Sequence, residues 1–213
     1  MRATPFALIA TVVLLGGGLA VFLSAKPNKV TPTIGFGQPK HPVTAKMTEE
    51  AKHMDLKTAP AFVRKTVAGP ELHLSGGNLA RPQFVLFILD GCPCSIDAQP
   101  IFNGFAKHWK GKVDFIGVID SEGRKAQEWV ADYKPAFPVM IDSKKEIIHA
   151  YEAKQSVYSA LIATDGKVVK LWPGYSIDMM KEMNDLIAKE LGVEGMPFDT
   201  QYAPKIKTSG CEF

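Results

Sequence analysis

The sequence predicts an α/β domain in which helices cover both faces of a mixed sheet, preceded by one N-terminal transmembrane helix. Three observations carry this. Residues 83–89 (QFVLFIL) and 113–119 (VDFIGVI) are apolar runs, each followed by a segment of helical period, which is the rhythm of strands buried on both faces. Later, Thr164-Asp165-Gly166 separates two more apolar runs, a hairpin signal that adds antiparallel strands. At the other end, residues 3–25 contain no charge at all.

That uncharged stretch comes first in the chain. Residues 6–23 (FALIATVVLLGGGLAVFL) approach the ~20 residues a helix needs to cross a bilayer core. A cleaved signal would need a small-x-small site after a shorter apolar core. The one tolerable site, Gly18-Leu19-Ala20, lies inside the run. A retained anchor over residues 1–25 is therefore expected, seated in the membrane through residues 6–24; secretion after cleavage is the alternative. Lys26, Lys29 and Lys40 after the run blur the positive-inside pattern. The short N-terminus nevertheless favours an extracytoplasmic domain, on the periplasmic or extracellular face. Residues 26–47 hold Pro27, Pro32, Pro39 and Pro42 and read as an extended tether.

The domain itself is expected over residues 48–192. Residues 71–74 alternate like a short strand, and 83–89 form a central one. From Pro93 to Trp109 a helix carries Ile101, Phe102, Phe105 and Trp109 on one face. A second buried strand (113–119), a second helix (123–134) and a third strand (137–141) follow. Ser143 to Glu146 has the spacing of a capping box, predicting a short helix with Ser143 as its cap. Residues 159–163 and 167–172 make the late hairpin. A last helix starts at Ser176, turns Met180, Met183, Ile187 and Leu191 inward, and ends at Gly192. Residues 193–213 read as a polar C-terminal tail carrying Cys211.

Composition removes several classes of function. Of 213 residues, 46% are apolar, enough for a core and too many for a disordered chain. A net charge of +3 with no basic stripe or aromatic ladder excludes a nucleic-acid binder. No glycine loop is placed to cradle phosphate, because Gly16-Gly17-Gly18 lies within the membrane run, so no nucleotide cofactor is implied. Three cysteines are too few for a disulfide scaffold.

The positions of those cysteines are informative. Asp90-Gly91-Cys92-Pro93-Cys94-Ser95 stands between the central strand and the first long helix. A cysteine at a helix N-terminus feels the positive end of the macrodipole, which favours thiolate over thiol. Gly91 permits a tight turn, and Pro93 suits the first helical position. This points to a nucleophilic or redox cysteine rather than to packing.

From about residue 58 to 191 the chain resembles the redoxin branch of the thioredoxin-like fold, which includes alkyl hydroperoxide reductase/thiol-specific antioxidant proteins and membrane-tethered thiol–disulfide oxidoreductases. The matching residues are Ala59-Pro60-x-Phe62, a hairpin over 69–74, the strand leading into Cys92-Pro93, Asp97-Ala98-Gln99-Pro100, and Asp165-Gly166-Lys167. The resemblance implies an oxidoreductase in which Cys92 attacks a protein disulfide or a peroxide and an unidentified electron donor resets it. The chain also departs from the pattern. Aligned on Pro100, Ser95 takes the place of the second cysteine of a Cys-x-x-Cys pair, and Val157 that of a cis-proline. Leu89 stands where a peroxidase of this branch has threonine.

An oxidised Cys92 needs a resolving thiol. Cys94 is near but would close a very small ring; Cys211, in a Gly-Cys tail, is the other candidate, so Cys92, Cys94 and Cys211 form the catalytic set. His41, His53, His73, His108 and His149 have no ligand spacing among themselves, and no metal site is assigned. The alternative function is a non-catalytic module that binds a partner, or copper, through its cysteine elbow.

Overall fold

The computed structural model describes residues 40–213. The anchor expected over residues 1–25, and the part of the tether before Lys40, lie outside the described residues. Among the described residues no helix is long and apolar enough to cross a membrane.

The apolar run over residues 83–89 becomes the middle of the sheet. Strand β3 (Gln83–Ile88) is buried at every position, and five strands lie in the order β5-β4-β3-β6-β7. Strands β4 (Asp114–Ile119) and β5 (Val139–Ile141) run parallel to β3; β6 (Ser159–Ile162) and β7 (Val168–Trp172) run antiparallel. Strand alternation divides the apolar residues between two faces. Phe84, Leu86 and Ile88 join one core with Phe102, Phe105, Trp109 and Met183, whereas Val85 and Phe87 join the other with Ile147, Ile148 and Tyr151. A separate hairpin, β1 (Phe62–Lys65) with β2 (Glu71–Leu74), meets β5 through the bridge between Thr66 and Met140.

Helices α2 (Pro93–His108), α3 (Gly123–Tyr133) and α5 (Ile177–Glu190) match the expected helices to within a residue or two at each end. Trp109 is fully buried, its Nε1–H donating to Asn184 Oδ1 at 3.1 Å. Ser176 caps α5, accepting from the Met179 N–H at 3.2 Å. Leu191 lies beyond the helix and is only partly buried.

The capping box at Ser143 does not form. Helix α4 (Glu146–Ala150) is preceded by Lys145 in a left-handed conformation (φ +59°), and the Asp142 carboxylate accepts from the N–H groups of Ile147 and Ile148, both at 3.0 Å. Ser143 instead donates to Glu122 at 2.8 Å. The left-handed turn returns the chain toward the end of β5, so the buried carboxylate one position earlier takes over the cap. Burial raises the Asp142 pKa and the backbone donors oppose it.

Structure also extends past both expected boundaries. Thr44 caps a helix α1 (Ala45–Ala51) that begins inside the tether region. The polar tail is built into the fold: Thr208 exchanges backbone hydrogen bonds with Tyr175, its residue forms a bridge with Pro42, and Ser209 is wholly buried.

Replacing Asp142 with alanine is expected to cost about 1 kcal/mol of stability, the usual worth of a lost cap, while Ser143→Ala stays within about 0.5 kcal/mol. Urea unfolding midpoints of the two variants check this; equal losses would return the cap to Ser143.

Candidate functional site

The site is built where β3 runs into α2. Gly91 sits at φ +75°, a turn that a side chain would strain, and Cys92 becomes the N-cap of α2 with Pro93 behind it. The Asp90 N–H donates to Asp120 Oδ1 at 2.8 Å, fastening the elbow to the end of β4. Cys92 is only 2% exposed.

A second wall comes from the segment entering β6. Val157 adopts φ +65°, an unfavourable region for a β-branched residue. It is held there by its N–H bonding to Phe87 O at 2.8 Å and by the N–H of Phe87 bonding to Tyr158 O at 2.9 Å. The turn leaves Ser156 facing Cys92, and Ser156 Oγ donates to Cys92 Sγ at 3.3 Å.

The tail supplies the third wall. Residues 210–213 run antiparallel to 154–156: Gly210 N–H donates to Ser156 O (3.0 Å), Ser156 N–H to Cys211 O (2.9 Å) and Phe213 N–H to Lys154 O (3.2 Å). A Cβ at Gly210 would fall 1.9 Å from Ser156 Oγ, so only glycine lets the tail approach this closely. On its other side the tail pairs with residues 41–43, through Ser209 N–H to His41 O (2.8 Å) and Val43 N–H to Lys207 O (3.0 Å). The result brings Cys211 Sγ to 2.8 Å from Cys92 Sγ, and the Cys211 N–H donates to Cys92 Sγ at 3.3 Å.

These contacts polarise the thiols. Burial by itself would raise the Cys92 pKa; the Cys211 and Ser156 side chains and the N–H groups of Cys211 and Ser95 outweigh it and lower the value to about 7. Cys211 moves the other way, to about 11, through burial and then through its hydrogen bond to Cys92 and the charge there. The pair thus loses its first proton readily and its second with difficulty. Cys94 is buried one residue into α2; burial and then the charges on Cys92 and Cys211 push it up to about 12. All three cysteines are free thiols.

Of the three expected residues, the fold brings Cys92 and Cys211 together and leaves Cys94 a buried, weakly acidic neighbour. Ser156, Gly210 and His41 were not singled out from the sequence for this site. Ser156 is adjacent to Val157, the position read against a cis-proline, which was the available signal for it. The structure contains no cis peptide among the described residues. Nor does it place three or more His, Cys, Asp or Glu side chains to hold a metal ion, again among the described residues.

Comparison with known proteins bears on this geometry. A Redoxin family model matches residues 55–187. Thiol-disulfide oxidoreductase ResA of Bacillus subtilis (strain 168) is 29% identical over 125 residues, covering 57% of this chain and 69% of its own length. Among solved structures, a candidate DsbE-type thiol:disulfide interchange protein from Chlorobium tepidum superposes with a TM-score of 0.59 at 21% identity, over 65% of this chain and 98% of that one. A candidate thioredoxin from Neisseria meningitidis gives 0.54 at 22%, over 63% and 92%. These likenesses establish a thioredoxin-like α/β fold.

If the tail creates the acidity of Cys92, Gly210→Ala and Cys211→Ala should each raise the first thiol pKa clearly above about 7. Thiolate absorbance followed against pH measures this. At neutral pH both variants would hold less thiolate than the parent; an unchanged titration would assign the acidity to Ser156 and the helix terminus without the tail.

Proposed function

The chain belongs to the Redoxin family, and from that premise we propose that it is a thiol–disulfide oxidoreductase with Cys92 as attacking thiolate and Cys211 as resolving thiol. In the same proposal the domain is held outside the cytoplasm by the apolar run over residues 6–24. The observation that carries the reading is the 2.8 Å approach of Cys211 Sγ to an acidified Cys92 Sγ. A bond between them needs the sulfurs to close to ~2.05 Å.

The reaction balances as two exchanges. Cys92 thiolate attacks one sulfur of a substrate protein's disulfide; that S–S bond breaks, and the departing substrate sulfur takes the electron pair and then a proton. Cys211 then attacks Cys92 Sγ, breaking the mixed disulfide and releasing the second substrate thiol. The substrate disulfide gains two electrons, and the Cys92–Cys211 pair becomes a disulfide. An electron-donor dithiol resets the pair. Its attack is favoured at Cys211, the less buried sulfur, because Cys92 is then expelled as the more stable thiolate. Because Cys92 is 2% exposed, the tail must lift for a substrate to reach it.

Membership of the family, the ResA likeness and the acidic thiol support protein disulfides as substrate. Cys94 supports the reading by its inertness: its thiol, pushed up to about 12, is a poor competitor for resolution at neutral pH.

Cys92→Ser is expected to abolish reduction of a disulfide-bonded test protein, and Cys211→Ser to accumulate a mixed disulfide on Cys92. Non-reducing peptide mapping of the oxidised parent should join the Cys92 and Cys211 peptides with Cys94 free. A Cys92–Cys94 bridge, or Cys211 always free, would overturn the assignment. Peroxide consumption without turnover of the test protein would overturn the choice of substrate.

A further inference from the structure

His41 borders the site, and the reaction above leaves it idle. His41 Nε2 lies 3.7 Å from Cys211 Sγ, on the side of that sulfur where residues 41–43 run along the tail. The placement is built by backbone. His41 O accepts from Ser209 N–H, Pro42 bridges Thr208, and Val43 N–H donates to Lys207 O, so the histidine and the cysteine belong to two strands in register. Cys92 Sγ, Cys211 Sγ and His41 Nε2 therefore form a chain of three atoms with steps of 2.8 and 3.7 Å.

The chemistry of resolution asks for a base at that position. Once Cys92 is in the mixed disulfide its charge no longer opposes ionisation of Cys211, but burial, the largest cause of the raised Cys211 pKa, still does, and only the thiolate is an effective nucleophile. Around the ring, Lys40 precedes it on its own segment and favours charge on Cys211, while Lys207 and Glu212 flank the paired tail residues and Cys92 lies beyond Cys211. A neutral imidazole with a free Nε2 accepts a thiol proton; with Nε2 protonated it donates one.

We propose that His41 is the general base for resolution: its Nε2 takes the Cys211 proton as Cys211 Sγ attacks Cys92 Sγ in the mixed disulfide. The new Cys92–Cys211 bond forms while the bond from Cys92 to the substrate sulfur breaks. The substrate sulfur leaves with the electron pair and receives the proton that His41 accepted, so the imidazole ends neutral and two thiols have reduced one disulfide. The inference rests on Cys211 being the resolving thiol, and it adds a residue from the N-terminal end of the described chain to the reaction.

The test uses the full chain in excess over dithionitrobenzoate, a disulfide that releases one coloured thiol when Cys92 attacks and a second when the mixed disulfide is resolved. In the parent, two phases are expected. In His41→Gln the first should keep its rate. The second should slow by about 100-fold at neutral pH, the scale of general-base catalysis, and continue to accelerate with pH after the parent has levelled off. Added imidazole should speed the second phase of His41→Gly, which a purely structural role for the ring would not allow. If Cys211→Ala retains a second phase, Cys211 does not resolve and the underlying reading fails. If Cys211→Ala loses that phase while His41→Gln matches the parent in rate and pH profile, the resolving reading stands and the role of His41 is overturned.

Discussion

A thiolate taken out of water must be met by hydrogen-bond donors, and the structure around Cys92 is organised by that requirement. The sulfur sits just past the end of a strand buried at every position, and desolvation is the largest single influence on it, favouring the neutral thiol. The helix N-terminus alone supplies one donor direction, from the Ser95 N–H. The others come from far away in sequence: Ser156 Oγ, and the backbone and side chain of Cys211. Each is held by a local conformation with its own cost. Val157 is turned into the left-handed region so that Ser156 faces the sulfur, and residue 210 must lack a side chain so that the tail can pass. Three separate pieces of chain thus converge on one atom.

The same contacts impose a conflict. The tail that makes Cys92 acidic also covers it, leaving 2% of the residue exposed. If the tail lifts as proposed, acidity and access alternate: with the tail docked the thiolate is stabilised and shielded, and with it lifted the thiolate is exposed and loses the two donors that Cys211 supplies. On the proposed reaction this ordering has a use. The docked state protects the nucleophile between turnovers, and redocking after the first exchange delivers the resolving sulfur. Backbone pairing on both sides of residues 207–213 makes the docked state specific, because Gly210 and Thr208 each engage a different neighbour, Ser156 and Tyr175.

How far the amino-acid sequence reveals this depends on the range of the interaction. The strand–helix elbow was legible because everything that forms it is local: an apolar run, a glycine that turns, a proline suited to the first helical turn, and a cysteine between them. The sheet was legible for a similar reason, since continuous apolar runs have few places to go. The α4 cap misled because Ser143 and Glu146 have the right spacing, while the competing Asp142 gains its position only from the burial of β5 and the left-handed Lys145. The tail was least legible. Its residues are polar and show no period, and its order comes from backbone pairing with residues 41–43, 154–156 and Tyr175, none of which leaves a signature in side-chain pattern. Cys211 could be suspected from its type, but its partner could not be deduced from spacing.

The asymmetry between the two sulfurs follows from that arrangement. Two identical thiols in contact cannot both ionise cheaply, so the charge settles on whichever has more donors. Cys92 receives hydrogen bonds from Ser156 and Cys211 besides the Ser95 N–H at the helix terminus, whereas the contact with Cys92 pushes the Cys211 thiol up. Moving the donors would exchange the roles of the two cysteines without altering either side chain. On the proposed reaction, the division into nucleophile and resolving thiol is consequently a property of Ser156, Ser95 and the docked backbone as much as of the cysteines, and burial and the charge of its neighbours set a third cysteine two residues away, Cys94, apart from both roles.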